Sequence, residues 1–552
     1  MSSRTIPIAK GLVLLAAVIM VCMVAGGQSH APGEAKDLTY AGNEACARCH
    51  ASIYESYPRT PMAHASGPAM DAVAPADFVH EASGVHYRIY TEGGRVWLSF
   101  DRRGDPSLQG KRELLYYIGS GQRGRSYLFA VDGFLFESPI NAYTSKGTWD
   151  MAPLYQNVRE APLNLPALTS CLQCHVSGMK PPVDGTENKY EMPPFTRAGV
   201  SCERCHGPGS AHLSGGPIVN PAKLSPDRRD AICMQCHLEG KAAVPRPGKH
   251  VYEFRPGDDL SNYVRYYVLD THGSGLGAVS QFEALAHSKC KQMSGDKMSC
   301  TSCHDPHYSP PLPERASYFR GKCVACHGEP FASKHHLEQR DCTSCHMPQR
   351  SSTDIAHVEV TDHRILRKAV SGATPSAIPT LERFPPTKGS EGDARDLALA
   401  WVTIKGGGSA LATAETEHLL RAALKQYPTD ATILSSLAFV EQNRGAIDQA
   451  RDLYHRALAA DPTLIDAATN LGVLEASQNN VRAAIPLWQD AFTRAPWRST
   501  IGINLARALC DSGRVEDGRS AVLRVLDFNP DSHEAQALLT HMNATPSGCA
   551  RP

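Results

Sequence analysis

Residues 202–212 read Cys-Glu-Arg-Cys-His-Gly-Pro-Gly-Ser-Ala-His. The first five, Cys202-x-x-Cys205-His206, are one copy of a repeated pattern. The others are Cys46-Ala-Arg-Cys49-His50, Cys171-Leu-Gln-Cys174-His175, Cys233-Met-Gln-Cys236-His237, Cys300-Thr-Ser-Cys303-His304, Cys323-Val-Ala-Cys326-His327 and Cys342-Thr-Ser-Cys345-His346. Fourteen of the eighteen cysteines fall in these seven pairs, each followed at once by histidine. Zinc ribbons and redox dithiols also use Cys-x-x-Cys, but neither needs the histidine. With 24 His in 552 residues, seven such placements by chance have a probability on the order of 10^-10.

The pattern is the attachment signature of c-type haem. Two thiols add to the two vinyl groups, and the next histidine ligates iron from one face. The sequence therefore predicts seven covalently bound haem c groups, here called sites 1 to 7 in chain order. Their thioethers come from Cys46, Cys49, Cys171, Cys174, Cys202, Cys205, Cys233, Cys236, Cys300, Cys303, Cys323, Cys326, Cys342 and Cys345. Their proximal ligands are His50, His175, His206, His237, His304, His327 and His346.

The sixth ligand sets the chemistry. A second histidine suits electron transfer, methionine raises the potential, and an open position admits a substrate. Twelve further histidines lie between residues 36 and 364. Seven would complete bis-His ligation, and five would then be surplus. The candidate distal ligands are His64 (with Met62 as rival), His212, His307, His336, His357 and His363. His212 follows a sharp Gly-Pro-Gly turn. His307 is too near His304 to cross to the other face of the same iron, so it suits a different haem. His80 and His86 lie in a strand-like stretch and read as surface residues. No residue is assigned a catalytic role.

Three segments carry a family resemblance. Cys205-His-Gly-Pro-Gly-Ser-Ala-His212, Cys303-His-Asp-Pro-His307 and Cys345-His-Met-Pro348 resemble multihaem cytochromes c of the nitrifier tetrahaem cytochrome and hydroxylamine oxidoreductase superfamily. The resemblance covers about residues 40–365. It implies closely stacked, mostly bis-His haems, in relatives that are either electron carriers or oxidoreductases on small nitrogen or sulfur compounds. The Cys-x-x-Cys-Lys variant of pentahaem nitrite reductases does not occur in the sequence.

Residues 1–27 hold Arg4, Lys10 and a charge-free apolar run from Gly11 to Ala25, the arrangement of a secretory signal peptide. Cys22 falls inside it. The expected location is periplasmic or extracellular; an uncleaved N-terminus would instead tether the chain to a membrane. Lys+Arg and Asp+Glu balance at 56 each, so no basic excess points to nucleic acid.

The 120 residues between sites 1 and 2 read as β. His86-Tyr-Arg-Ile-Tyr90 and Arg95-Val-Trp-Leu-Ser-Phe100 alternate around Glu92-Gly93-Gly94, and Asp132-Gly133 is a second hairpin signal. A small antiparallel insertion of four to six strands is expected over 76–160. Its Gly-rich turn 119–124 presents Arg123 and Arg125, either to haem propionates or to solvent. Tyr143 to Tyr155, with Trp149, is expected beside site 2. Cys290 reads as a free buried thiol.

Residues 366–394 read as a Pro/Gly linker. Beyond it, Pro428, Pro462, Pro496 and Pro530 are spaced by 34 residues, with Ala423, Ala457 and Ala491 in phase. That period resembles the tetratricopeptide repeat. An all-α solenoid is expected over 395–543, with Leu471-Gly472 at the family's Leu-Gly position, Cys510 in its core, and a tail at 544–552. The architecture is thus multidomain: a haem-packed, mostly irregular and short-helical core at 40–365 carrying the β insertion, then the solenoid. The expected activity is electron relay, with redox partner proteins docked through the repeats. The alternative is an oxidoreductase acting on a small nitrogen or sulfur compound at one five-coordinate haem.

Overall fold

A computed structural model describes residues 39–544 except 145, 154, 270–276, 331–340, 354, 356, 368–380, 387–392 and 406–413. The predicted signal segment, the tail and His336 lie outside the described residues. Among the described residues, no helix is long and apolar enough to cross a membrane.

The N-terminal part is β-rich. Strands Ala76–His80, Val85–Glu92, Arg95–Arg102, Asp105–Ile118, Ser126–Val131 and Phe134–Glu137 form an antiparallel meander. Two of its turns have the chemistry that the sequence announced. Gly93 and Gly94 adopt φ of 59° and 73°, and Asp132 and Gly133 adopt 51° and 80°. Two successive positive φ values match the right-handed strand twist in a two-residue hairpin, and glycine takes them without a Cβ clash. Alternation then buries Val85, Tyr87 and Ile89 on one strand and Val96, Leu98 and Phe100 on the next. The sheet has seven strands, not four to six, because Ser66–Pro68 pairs with the end of Asp105–Ile118. Three residues are too few to show alternation.

Between 165 and 366 regular structure is sparse. Short helices carry the Cys-x-x-Cys-His motifs, with small sheets between them. One sheet joins Ala242–Pro245, Val264–Leu269 and Leu381–Phe384. The last strand lies inside the stretch read as a linker. Leu381 pairs with Leu269 and Phe384 with Tyr266 across a long sequence gap, which no local pattern reveals.

The C-terminal region is a helical array. Helices Ala431–Asn443, Ile447–Ala460, Ile465–Ser477, Val481–Arg494, Ser499–Asp511 and Val515–Phe528 form three antiparallel pairs, with Asp393–Lys405 and Ala414–Gln426 before them and His533–Ala544 after. Pro428, Pro462, Pro496 and Pro530 sit in the turns between pairs. Gly472 lets two helices approach: a Cβ there would lie 2.5 Å from the Trp488 indole nitrogen. Cys510 is buried and disulfide-bonded, with its partner outside the described residues, rather than a plain core thiol.

Two buried carboxylates bind the solenoid to the rest of the chain. Asp531 is fully buried and accepts from both terminal nitrogens of Arg102 (2.8 and 2.5 Å) and from the Ala161 N–H (2.6 Å). Asp396, also fully buried, faces Arg246 (2.5 Å), Arg395 (2.9 Å) and Arg265 (3.3 Å). Near the first clasp, Phe528 packs edge-on to Phe134 and Phe136 in the core of the large sheet. Removing one partner of a buried ion pair strands the other charge and costs about 3–5 kcal/mol. Asp531→Ala is therefore expected to lower stability by about that amount in denaturant unfolding. A loss below about 1 kcal/mol would show that the clasp is not a structural anchor.

Candidate functional site

Each motif sits on or beside a single helical turn. The His50 N–H donates to the Cys46 carbonyl (3.0 Å), His206 to Cys202 (3.0 Å) and His304 to Cys300 (2.9 Å). Residues i, i+3 and i+4 of such a turn share a face. Two thiols and an imidazole therefore point the same way, as attachment at one porphyrin edge requires.

The imidazoles are oriented by their far nitrogens. Nδ1 of His175 lies 3.2 Å from the Ala65 carbonyl, Nδ1 of His206 lies 2.9 Å from Val219, and Nδ1 of His346 lies 2.7 Å from Leu366. Among the candidate distal residues, His363 does the same with Thr361 (2.9 Å) and His212 with Gly216 (3.0 Å). A carbonyl only accepts, so Nδ1 carries the proton and Nε2 keeps its lone pair. This is the carbonyl-backed arrangement of a metal-binding histidine. Burial lowers the pKa of His175, His206, His237 and His363, and that of His304 to about 4. Each is therefore neutral near pH 7, the form that can ligate iron.

Two ring pairs lie close together. His206 and His307 are parallel to within 10°, with centroids 6.0 Å apart. His304 and His363 are 6.2 Å apart at 30°. A metal–imidazole bond of about 2.0–2.1 Å on each side of one ion puts the centroids roughly 6 Å apart. His50 and His64 line one pocket of about 170 Å³ together with Cys46, Tyr54, Tyr57 and Cys202.

The remaining candidates are placed differently. His357 has Nε2 2.6 Å from Asp150, so the nitrogen that a metal would need is occupied. His80 is buried, not a surface residue, with its nitrogens on Ser83 and the Gln156 carbonyl. His86 bridges Asp77 and Asp101 on the sheet surface. Arg125 lies over the Tyr117 ring at 5.1 Å, while the Arg123 charge reaches His237 and His363. Trp149 stacks on Tyr127 within the large sheet's core rather than beside site 2.

The residues present fit a haem at these turns. Helix Arg315–His327 runs for 13 residues and buries none of its side chains; the short helices Asn43–Ala47 and Cys342–His346 bury none either. Helices in proteins draw most of their stability from packing an apolar face, and a porphyrin face would supply that partner. Four of the motif thiols do not suit a redox dithiol. Burial pushes Cys171, Cys202, Cys205 and Cys323 up to about 11, whereas reactive thiolates are held low.

Glu203, inside motif 3, is a positioning residue that the motif pattern hides. Its buried carboxylate accepts from the backbone N–H groups of Ala41 (2.7 Å), Gly42 (3.0 Å) and Gly209 (2.8 Å). It thereby ties the segment before site 1 to the Gly-Pro-Gly loop after site 3. Its only sequence signal is an acid within a haem motif.

Residues 142–207, which take in sites 2 and 3, match the family model of cytochrome c554 and c-prime, and residues 475–542 match a tetratricopeptide repeat model. The multiheme cytochrome MtrA of Shewanella baltica (strain OS185) is 26% identical over 214 residues, covering 34% of this chain and 63% of that protein. The chain thus spans less than two thirds of the length of the curated relative it matches. Among solved structures, MamA 41-end from Desulfovibrio magneticus RS-1 aligns with 17% identity over 28% of this chain and 86% of its own, at a TM-score of 0.25. MamA AMB-1 C2221 aligns with 20% identity over 27% and 83%, at 0.24. TM-scores this low define no common fold. The cytochrome matches imply covalently bound haem c.

Leaving a buried donor unpaired costs about 1–3 kcal/mol, and Glu203→Ala strands three. The expected result is a clear fall in the unfolding midpoint. An unchanged midpoint would show that the carboxylate does not hold the two segments together.

Proposed function

We propose that this chain is an exported, heptahaem c-type cytochrome that relays electrons, with its repeat region available to redox partner proteins. Haem c, when bound, supplies an iron that takes up and gives back one electron. The fourteen motif cysteines hold the seven groups, and the seven motif histidines ligate the irons from one side. The observation that carries the reading is the pair of facing imidazoles. His307 would pair with His206 at site 3 and His363 with His304 at site 5, a reading supported by centroid separations of 6.0 and 6.2 Å, close to what two imidazoles on one iron need. His64 is the partner of His50 at site 1, on the strength of their shared pocket. Two histidines on one iron keep it low-spin and closed to substrates, which favours relay over catalysis.

Partner docking has support from the exposure of the repeats. The turns within helix pairs, at 443–445, 477–480 and 511–514, are exposed. The turns between pairs are engaged inside the molecule: Arg498 holds Glu187 at 2.7 and 2.9 Å, and Asp531 holds Arg102. A partner would therefore meet the solenoid on the side of the turns within helix pairs. The export reading rests on the predicted signal segment and on haem c attachment outside the cytoplasm.

Low-temperature electron paramagnetic resonance of the oxidised protein, with and without nitric oxide, tests the relay. The expected spectrum is entirely low-spin and unchanged by nitric oxide. A persistent high-spin haem that binds nitric oxide would replace relay with catalysis at that haem.

A further inference from the structure

Seven sites strung along one chain need not be neighbours in chain order. Site 1 meets site 3, not site 2: the Asn43 side chain accepts from the Cys202 N–H (3.1 Å), and Cys46, His50 and Cys202 line one pocket. Sites 2, 3 and 4 cluster. Arg204, inside motif 3, donates to the Gln173 carbonyl of motif 2 (2.9 Å), and the Cys174 thiol donates to the Gln235 carbonyl of motif 4 (3.8 Å). Cys205 also packs on the apolar cluster of helix Pro226–His237, which carries site 4.

Site 4 meets site 5 where Cys300 packs on the apolar cluster of helix Pro226–His237. The His304 ring of site 5 lies edge-on to Phe319, 5.4 Å away, on the helix that carries site 6. Sites 6 and 7 touch where helix Arg315–His327 packs against helix Cys342–His346. Exposure follows the same order. Cys49 of site 1, Cys326 of site 6 and Cys345 of site 7 are exposed, whereas both cysteines of sites 2, 3, 4 and 5 are partly buried.

We propose that the attachment sites run through the molecule in the order 1–3–4–5–6–7, with site 2 held inside as a spur against sites 3 and 4. The ends open to solvent are then site 1 on one side and sites 6 and 7 on the other. This rests on the heptahaem reading above and adds to it where electrons enter and leave. An external one-electron donor and acceptor would meet the array at these opposite ends, and site 2 would lie off the direct route between them. The loop His304-Asp-Pro-His307 strengthens the middle of the line, because its two histidines face sites 5 and 3, three residues apart.

The test is to locate the irons in the haem-loaded, full-length protein by anomalous scattering at the iron edge. The order predicts that iron 1 has iron 3 as its nearest neighbour and that iron 2 has irons 3 and 4. Iron 7 should lie next to iron 6, farthest from iron 1. Iron 1 nearest to iron 2, or iron 2 at an end of the array, would overturn it. Fewer than seven irons would instead count against the heptahaem reading and leave the order of the remaining sites to be scored. Hydroxyl-radical footprinting of the same holoprotein gives a second readout that needs no crystal. Peptides bearing Cys49 and Cys326 should be oxidised several-fold faster than the peptide bearing Cys171 and Cys174, and equal rates would contradict the assigned ends.

Discussion

The structure depends on one geometric constraint: two thiols and an imidazole must share the face of a single helical turn. Residues i, i+3 and i+4 meet it without strain, so seven short turns can each present a complete attachment face with little surrounding secondary structure. The consequence is visible in the packing. The helix Arg315–His327 and the turn Cys342–His346 bury no side chains of their own. A planar apolar group bonded to the chain would supply the core that the local sequence lacks. The carbonyl partners of His175, His206 and His346 hold each ring through Nδ1, which leaves Nε2 as the ligating nitrogen.

Around this sparsely packed middle stand two regions with ordinary cores, the seven-stranded sheet and the helical repeats. They are joined by long-range charge contacts rather than by chain continuity. Asp531 reaches Arg102 across 429 residues, and Asp396 reaches Arg246 across 150. The solenoid thus acts as a brace. It holds the large sheet through Asp531, in the turn before its last helix, and the sheet of Ala242–Pro245 through Arg395 and Asp396 on its first helix. The turns on its opposite side, at 443–445, 477–480 and 511–514, are exposed.

The parts legible in the sequence were those with a local physical signature. Gly93-Gly94 and Asp132-Gly133 required positive φ, and the structure has it. A 34-residue period announced paired helices. Distal positions were legible only as candidates, because a ligand from another segment is set by three-dimensional proximity. The sequence excluded His307 from its own iron but could not choose the ring it would face. His357 shows the reverse failure: it is well placed along the chain, yet its Nε2 is bound to Asp150. Ser66–Pro68, Leu381–Phe384 and the three backbone contacts of Glu203 were hidden for the same reason, since each exists only through partners far away in sequence.

The central claim is that all seven Cys-x-x-Cys-His turns carry haem. The most direct measurement is the intact mass of the purified protein after alkylation of free thiols under reducing, denaturing conditions. The account predicts the chain mass plus seven haems, with alkylation confined to cysteines outside the motifs, Cys290 among them. A mass short of seven haems, with alkylated motif cysteines to match, would contradict it.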